Sequence, residues 1–383
     1  MDDATRYAHI RYRLLLLDLV LSLSFLGLMQ VSGVSLAIAR FWSSRISHEP
    51  LVIVGYLFTF GLSYYFVMLP LHFYGSFLLE HRFGLSRMTL GRWAVREMKQ
   101  VGISALIAAV LFEGLYALLR HTPGQWPLWA TVGWVGFSVI LARVFPTVLL
   151  PIFYKTTRLQ DQSLVERLLK LCERAGLPAL GVFRFDLGAE TRKANAALAG
   201  LGKTRRVLLA DTLIKEFPPE EIEGVLAHEL GHHRYHHITK MLIISALGSW
   251  IAFTLTDVAG QRWSQAFGLR GLADIAGFPM LMLWLSILGL VSLPLQNGLS
   301  RYFEWQSDHF ATATTAPQPF ADALRRLAKL NLADPHPPRW IVWLFYDHPP
   351  ITERIEAAER SAIGGTTQSV QSPPEQGTAV SQG

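Results

Sequence analysis

Long apolar runs separated by short polar breaks set the plan of the chain. Leu14 to Ala39 is interrupted only by Asp18 and Gln30, and Leu51 to Leu79 only by His72. Both exceed the roughly 20 apolar residues a helix needs to cross a hydrocarbon core. Further candidates run from Val101 to Leu119, Trp126 to Tyr154, Met241 to about Gly260, and Phe278 to Leu295, which makes six spans. After the fourth, a polar stretch of about 85 residues reads as a folded domain. Ser163 to Ala175 has helical periodicity and stops at Gly176. "GVFRFD" and "RRVLLA" read as strands, with "NAALAGLGKT" between them as strand and turn. Pro218 and Pro219, followed by Glu220, Glu221 and Glu223, predict a helix start, because proline suits the first turn and acids suit the dipole there. The expected divisions are residues 1–154 (four spans), 155–240 (polar part), 241–296 (two spans), 297–363 (second polar part) and 364–383, a tail too poor in apolar residues to pack. The fold class is a mainly α polytopic membrane protein with a small β-sheet in its polar part.

Composition agrees with a bilayer: 51% of residues are hydrophobic and 17% charged. The first apolar run is long and leads straight into more membrane sequence, so it reads as a retained span rather than a cleaved signal. The formal charge of +6 is not arranged as basic runs interleaved with aromatics, which argues against a nucleic-acid partner. Arg6, Arg11 and Arg13 precede the first span, and Arg82, Arg87, Arg92, Arg96 and Lys99 lie between the second and third. The opposite loops carry only Arg40, Arg45, Arg120, Arg262 and Arg270. The positive-inside rule therefore places both termini, the 80–100 loop and the 155–240 region in the cytoplasm. Cys172 is alone, so a metal would need nitrogen and oxygen ligands.

"LAHELGHHRYHHITK" carries five histidines, from His228 to His237. On a helix, His228 and His232 lie one turn apart on one face with Glu229 beside them. This is H-E-x-x-H, in which two imidazoles bind zinc and the glutamate acts on its water. A polar surface carrying histidines for solubility is the bland alternative. His236 continues the stripe, but three ligands on successive turns would spread over roughly 12 Å at 1.5 Å rise per residue, too far to meet one ion. A second helix offers Glu304 and Asp308 in "NGLSRYFEWQSDHFA", which two intervening spans return to the same side. Glu304 is then a third ligand and Asp308 a carboxylate that orients a ligating histidine, unless Glu304 pairs with Arg301. "YDHPPITERI" supplies His348 and Arg354 as candidate donors to a tetrahedral oxyanion.

"VLAHELGHHRYHH", "NGLSRYFEWQSD" and "DHPPITERI", in this order around two spans, resemble the type I CAAX prenyl endopeptidases and their bacterial relatives, a gluzincin family of membrane zinc proteases. The resemblance extends to "LEHRFGLSRMTLGRW", "FPTVLLPIFYK" and "NAALAGLGKTRRVLLADTLI". It implies one zinc per chain on His228, His232 and Glu304, with Glu229 as general base and Asp308 behind the ligands. His348 and Arg354 would stabilise the transition state, and Asn195 and Ala196 would lie in an edge strand against which substrate extends. His237 matches a family histidine. The implied partners are a peptide or protein substrate, C-terminally prenylated in the CAAX case, and the lipid bilayer. The implied location is the inner membrane of a bacterium or the endoplasmic reticulum of a eukaryote, with the catalytic side cytoplasmic. Departures are six spans against seven, a shorter chain, and Ser307 where alanine is usual.

Two rivals come from other readings. One is a quality-control protease without prenyl specificity, and the other a non-enzymatic metal-binding or transport protein, for which Glu113 and Arg143 are ionisable groups within spans. Glu229, which a binding protein does not need, favours the enzyme.

Overall fold

The computed structural model describes residues 2–200 and 205–369, with side chains through Ile363. Helix α1 (Asp3–Val31) starts on Asp2, whose carboxylate accepts the Thr5 amide at 2.8 Å. It ends at Ser32 and Gly33, and Gly33 takes φ 77°, a left-handed conformation that suits glycine. The apolar run expected to form one span from Leu14 to Ala39 is therefore two helices. The second, α2 (Val34–Ser43), has 10 residues and is too short to cross a bilayer. Ser35 fixes it to the bundle, its hydroxyl lying 2.6 Å from the Tyr56 hydroxyl and donating to the Ala276 carbonyl at 2.7 Å.

Helices α3 (Glu49–Arg82), α4 (Leu90–His121) and α5 (Trp126–Phe153) complete the N-terminal membrane part. Helix α5 carries a π turn at Phe145–Leu149 that contains Pro146, where a missing N–H leaves the regular ladder incomplete. Phe58, Phe66, Leu106, Val110 and Ile140 are exposed on these helices, as residues facing lipid would be. Glu113 and Arg143 form no ion pair with each other among the described residues.

The polar part begins with β1 (Thr156–Arg158) and α6 (Gln162–Arg174), which is capped by Asp161 at 3.1 Å from the Leu164 amide. Strands β2 (Val182–Phe185), β3 (Ala196–Ala199) and β4 (Arg206–Ala210) join β1 in the order β1-β2-β4-β3. β2 and β4 are parallel, and the two outer strands are antiparallel to their neighbours. β3 is thus an edge, in register Ala196 opposite Leu209 and Leu198 opposite Val207. The turn expected after it, at 201–204, lies outside the described residues.

After α7 (Asp211–Glu216), helix α8 (Pro219–Arg234) opens on the expected proline and carries Glu220 and Glu221 in its first turn. Two spans follow, α9 (His237–Ala266) and α10 (Phe278–Thr314), giving six helices of spanning length and composition among the described residues. Helix α10 continues well past its apolar stretch, which ends near Leu295. Then come α11 (Pro317–Asn331), α12 (Arg339–Phe345) and α13 (Ile351–Ser369). Helix α13 thus runs beyond residue 363, where the tail is expected to begin, and residues 370–383 lie outside the described residues.

The two polar parts share one core. Leu168, Leu171, Val207, Leu209, Leu213, Leu226 and Leu230 pack in the same cluster as Ala311, Phe320, Leu324 and Ala358. At its margin Arg326 grips buried Glu221 through two hydrogen bonds of 2.9 and 3.0 Å, tying α11 to α8. The membrane part is tied on by Glu80 of α3, which accepts from Tyr7 and lies 3.0 Å from the Lys193 ammonium.

Candidate metal centre

Helix α8 crosses α10 at close range because Gly231 has no side chain. A Cβ there would lie 2.9 Å from the Ser307 Cα and 3.1 Å from its Cβ. Gly231→Ala is expected to force the helices apart at a cost of about 1–3 kcal/mol. Thermal unfolding in detergent should show the loss, and an unchanged midpoint would mean that the contact is not tight.

This crossing brings three donor groups together. The ligand atoms of His228, His232 and Glu304 all lie within 4.8 Å of one another. The two imidazole Nε2 atoms are 3.2 Å apart, and each lies 3.2–3.3 Å from a Glu304 oxygen. Glu304 is 3% exposed, and its Oε2 is buried with no hydrogen-bond partner. Two ring nitrogens and an orphaned carboxylate oxygen facing one point suit a cation better than one another, because at most one shared proton can serve them.

Both imidazoles are oriented from behind. Asp308 Oδ1 lies 2.8 Å from His228 Nδ1, so an N–H donated there leaves the Nε2 lone pair facing the cluster. For His232 the chain is longer. Gln306 donates its amide N–H to the Tyr302 hydroxyl at 3.0 Å, which turns its Oε1 toward His237 Nε2 at 2.8 Å. His237 Nε2 then donates to Gln306, its Nδ1 accepts from His232 Nδ1 at 3.2 Å, and the His232 Nε2 lone pair is freed. Phe303 stacks on the His237 ring at 4.3 Å. Sequence reasoning left His237 without a role and passed over Gln306, because their contact joins α9 to α10 and no local spacing marks it.

Electrostatics favour positive charge at this point. Burial works to lower the pKa of His228, but the Asp308 hydrogen bond and the nearby Glu304 carboxylate outweigh that and raise it to about 9. Arg354 is 8% exposed and gives Nε and Nη2 to the two Asp308 oxygens at 2.8 and 2.7 Å. Its guanidinium also lies 3.6 Å from Glu304.

The remaining candidates are placed as follows. Glu229 is half-buried on α8 next to His228. His348 is exposed, with Nε2 3.3 Å from Glu304 Oε1 and Nδ1 2.8 Å from Asp347 Oδ1. The Asp347 hydrogen bond raises the His348 pKa. Arg301 does not take Glu304 as its partner but donates to backbone carbonyls of Val342 and Tyr346. His236 sits at φ 57° in the bend between α8 and α9, exposed and outside the three-donor cluster. His233 reaches the Leu198 carbonyl at 3.0 Å, tying α8 to edge strand β3. Asn195 is exposed at the head of β3, with its carbonyl accepting from Ala210 at 3.0 Å.

The family model for peptidase family M48 matches residues 158–362, more than half of the chain. The chain belongs to peptidase family M48. A second model, for the CAAX prenyl protease N-terminal segment of five membrane helices, matches residues 1–155, which hold α1 to α5. This M48 protein is 27% identical over 362 residues to the Bacillus subtilis uncharacterized metalloprotease YhfN, covering 93% of this chain and 85% of the relative. It is 28% identical to CAAX prenyl protease 1 of Saccharomyces cerevisiae (76% of this chain, 69% of the relative) and 26% identical to the human homologue (76% and 70%). The crystal structure of S. mikatae Ste24p shares its fold, with TM-score 0.80, 23% sequence identity, and coverage of 94% of this chain and 90% of that one. The M48 chain is accordingly a multi-pass membrane metalloendopeptidase, as the motifs predict, and the transport reading is not favoured.

Proposed function

We propose that this M48 protein is a zinc endopeptidase in which His228, His232 and Glu304 hold the ion and Glu229 is the general base. The convergence of two imidazole nitrogens and a buried, otherwise orphaned Glu304 oxygen beside Glu229 carries the reading. Zinc bound there supplies a Lewis acid for a water molecule and for the scissile carbonyl. Glu229 takes the proton from that water and returns it to the leaving amine. His348 donates from Nε2 to the developing oxyanion, with Asp347 on Nδ1 holding the ring protonated. Arg354, which the family resemblance pairs with His348, is turned to Asp308 and acts through it, keeping that carboxylate charged and aimed at His228. Substrate extends beside β3 near Asn195 and Ala196, where an exposed sheet edge offers backbone groups for an added strand.

The substrate class is a polypeptide presented at the membrane, prenylated near its C-terminus in the CAAX manner. Turnover of membrane-inserted proteins without prenyl specificity is the alternative, which the similarity to CAAX prenyl proteases does not favour. The distribution of basic residues supports a cytoplasmic site and cytoplasmic termini, in the inner membrane of a bacterium or the endoplasmic reticulum of a eukaryote. The test compares hydrolysis of a prenylated CAAX peptide, its unprenylated form and an unfolded membrane protein, before and after chelation and zinc return. Cleavage abolished by chelation and restored by zinc is expected. Cleavage of the unfolded protein alone would remove the CAAX assignment.

A further inference from the structure

Asn297, Arg301, Glu304 and Asp308 are spaced four, three and four residues apart, which puts them in one stripe along α10. The upper part of the stripe meets the metal centre, and the lower part meets a different element. Helix α12 ends at Phe345, where the Tyr346 amide still reaches the Val342 carbonyl at 3.4 Å and the carbonyls after it lie past the helical ladder. Arg301 Nη1 donates to the Val342 carbonyl at 2.9 Å and to that of Tyr346, while Asn297 Nδ2 donates to the Leu344 carbonyl at 2.7 Å. Two side chains of α10 therefore finish α12 and fix where the next loop starts. The far end of that loop is fixed as well, because Pro349 and Pro350 are buried and the Pro350 carbonyl accepts the Glu353 and Arg354 amides at 3.0 and 3.2 Å. A third tie comes from the membrane part. Tyr12 of α1 donates to Asp334 Oδ2 at 2.9 Å, and its hydroxyl lies 2.6 Å from that of Tyr346. His348 stands in the middle of this clamped segment, 3.3 Å from Glu304.

We infer that Arg301, supported by Asn297 and by Tyr12 of the first span, is a positioning residue that sets His348 against Glu304. The inference rests on the reading of His348 as the donor that faces substrate. Because Arg301 and Glu304 belong to the same helix, one turn apart, α10 sets both the near end of the His348 loop and the metal centre.

The test uses the full chain in detergent, with Arg301→Met, Arg301→Lys and Tyr12→Phe made in both the natural and His348→Ala backgrounds. With His348 present, Arg301→Met is expected to lower kcat by roughly ten- to a hundredfold, the scale of a misplaced catalytic group. KM for peptide should stay within about twofold, and each chain should keep one metal. Lysine keeps the charge but not the fork, so Arg301→Lys should fall between. Tyr12→Phe, which preserves the ring and its packing, should give a smaller loss of kcat with one metal still bound per chain. In the His348→Ala background all three losses should vanish. Equal losses in both backgrounds, or loss of metal from Arg301→Met, would overturn the positioning role alone. A fully active His348→Ala protein would overturn the functional reading and this inference with it.

Discussion

Glu229→Gln is expected to lower kcat by about 10²–10⁴-fold while leaving the metal in place, the range a positioned acid–base group contributes. The amide has nearly the shape of the carboxylate but cannot take a proton. Glu229 is half-buried and is not one of the three converging donors, so neither folding nor metal content should change. The measurement is kcat on a fluorogenic peptide together with metal stoichiometry by atomic absorption. A variant that keeps more than about a tenth of wild-type kcat with one ion bound would exclude Glu229 as the base.

Asp308→Asn is expected to damage the protein twice. Asp308 is 5% exposed and accepts from His228 and from both Arg354 nitrogens, so its neutralisation strands a buried guanidinium whose other carboxylate, Glu304, is 3.6 Å away. Breaking a buried pair from one side costs about 3–5 kcal/mol. Loss of the carboxylate behind a ligating histidine weakens metal binding by roughly 10–100-fold. The two effects separate in Asp308→Asn/Arg354→Met. Removing the stranded charge should restore much of the unfolding midpoint, whereas competitive titration against a zinc chelator should still show weak binding. Recovery of both together would mean that Asp308 serves only Arg354 and does not orient His228.

The spans, the helix carrying H-E-x-x-H, and the pairing of that helix with Glu304 and Asp308 were legible because each depends on local periodicity or on a chemical requirement. Two imidazoles one turn apart need a third ligand, and the hydropathy pattern delivers Glu304 to the right side. Gly33 was harder to read. It breaks a run whose hydrophobicity continues to Ala39, and a single near-neutral glycine is too small an interruption to show in an average over a span. The sheet order was out of reach, since β4 sits between β2 and β3 by long-range pairing that no local signal encodes. The orientation of Arg354 was equally hidden. Its sequence neighbourhood says only that a cation follows His348, and the choice between substrate and Asp308 is made by burial.

The order of the donors along the chain also bears on how the enzyme is made. His228 and His232 leave the ribosome before α9, and Glu304 follows only after α9 and most of α10, so a nascent chain carries half a centre until both hydrophobic segments have been inserted. The core that holds α8 in place is likewise incomplete until Phe320, Leu324 and Ala358 have been synthesised. The three donors can therefore meet only late in synthesis, once both hydrophobic segments and the last residues of the shared core have been made.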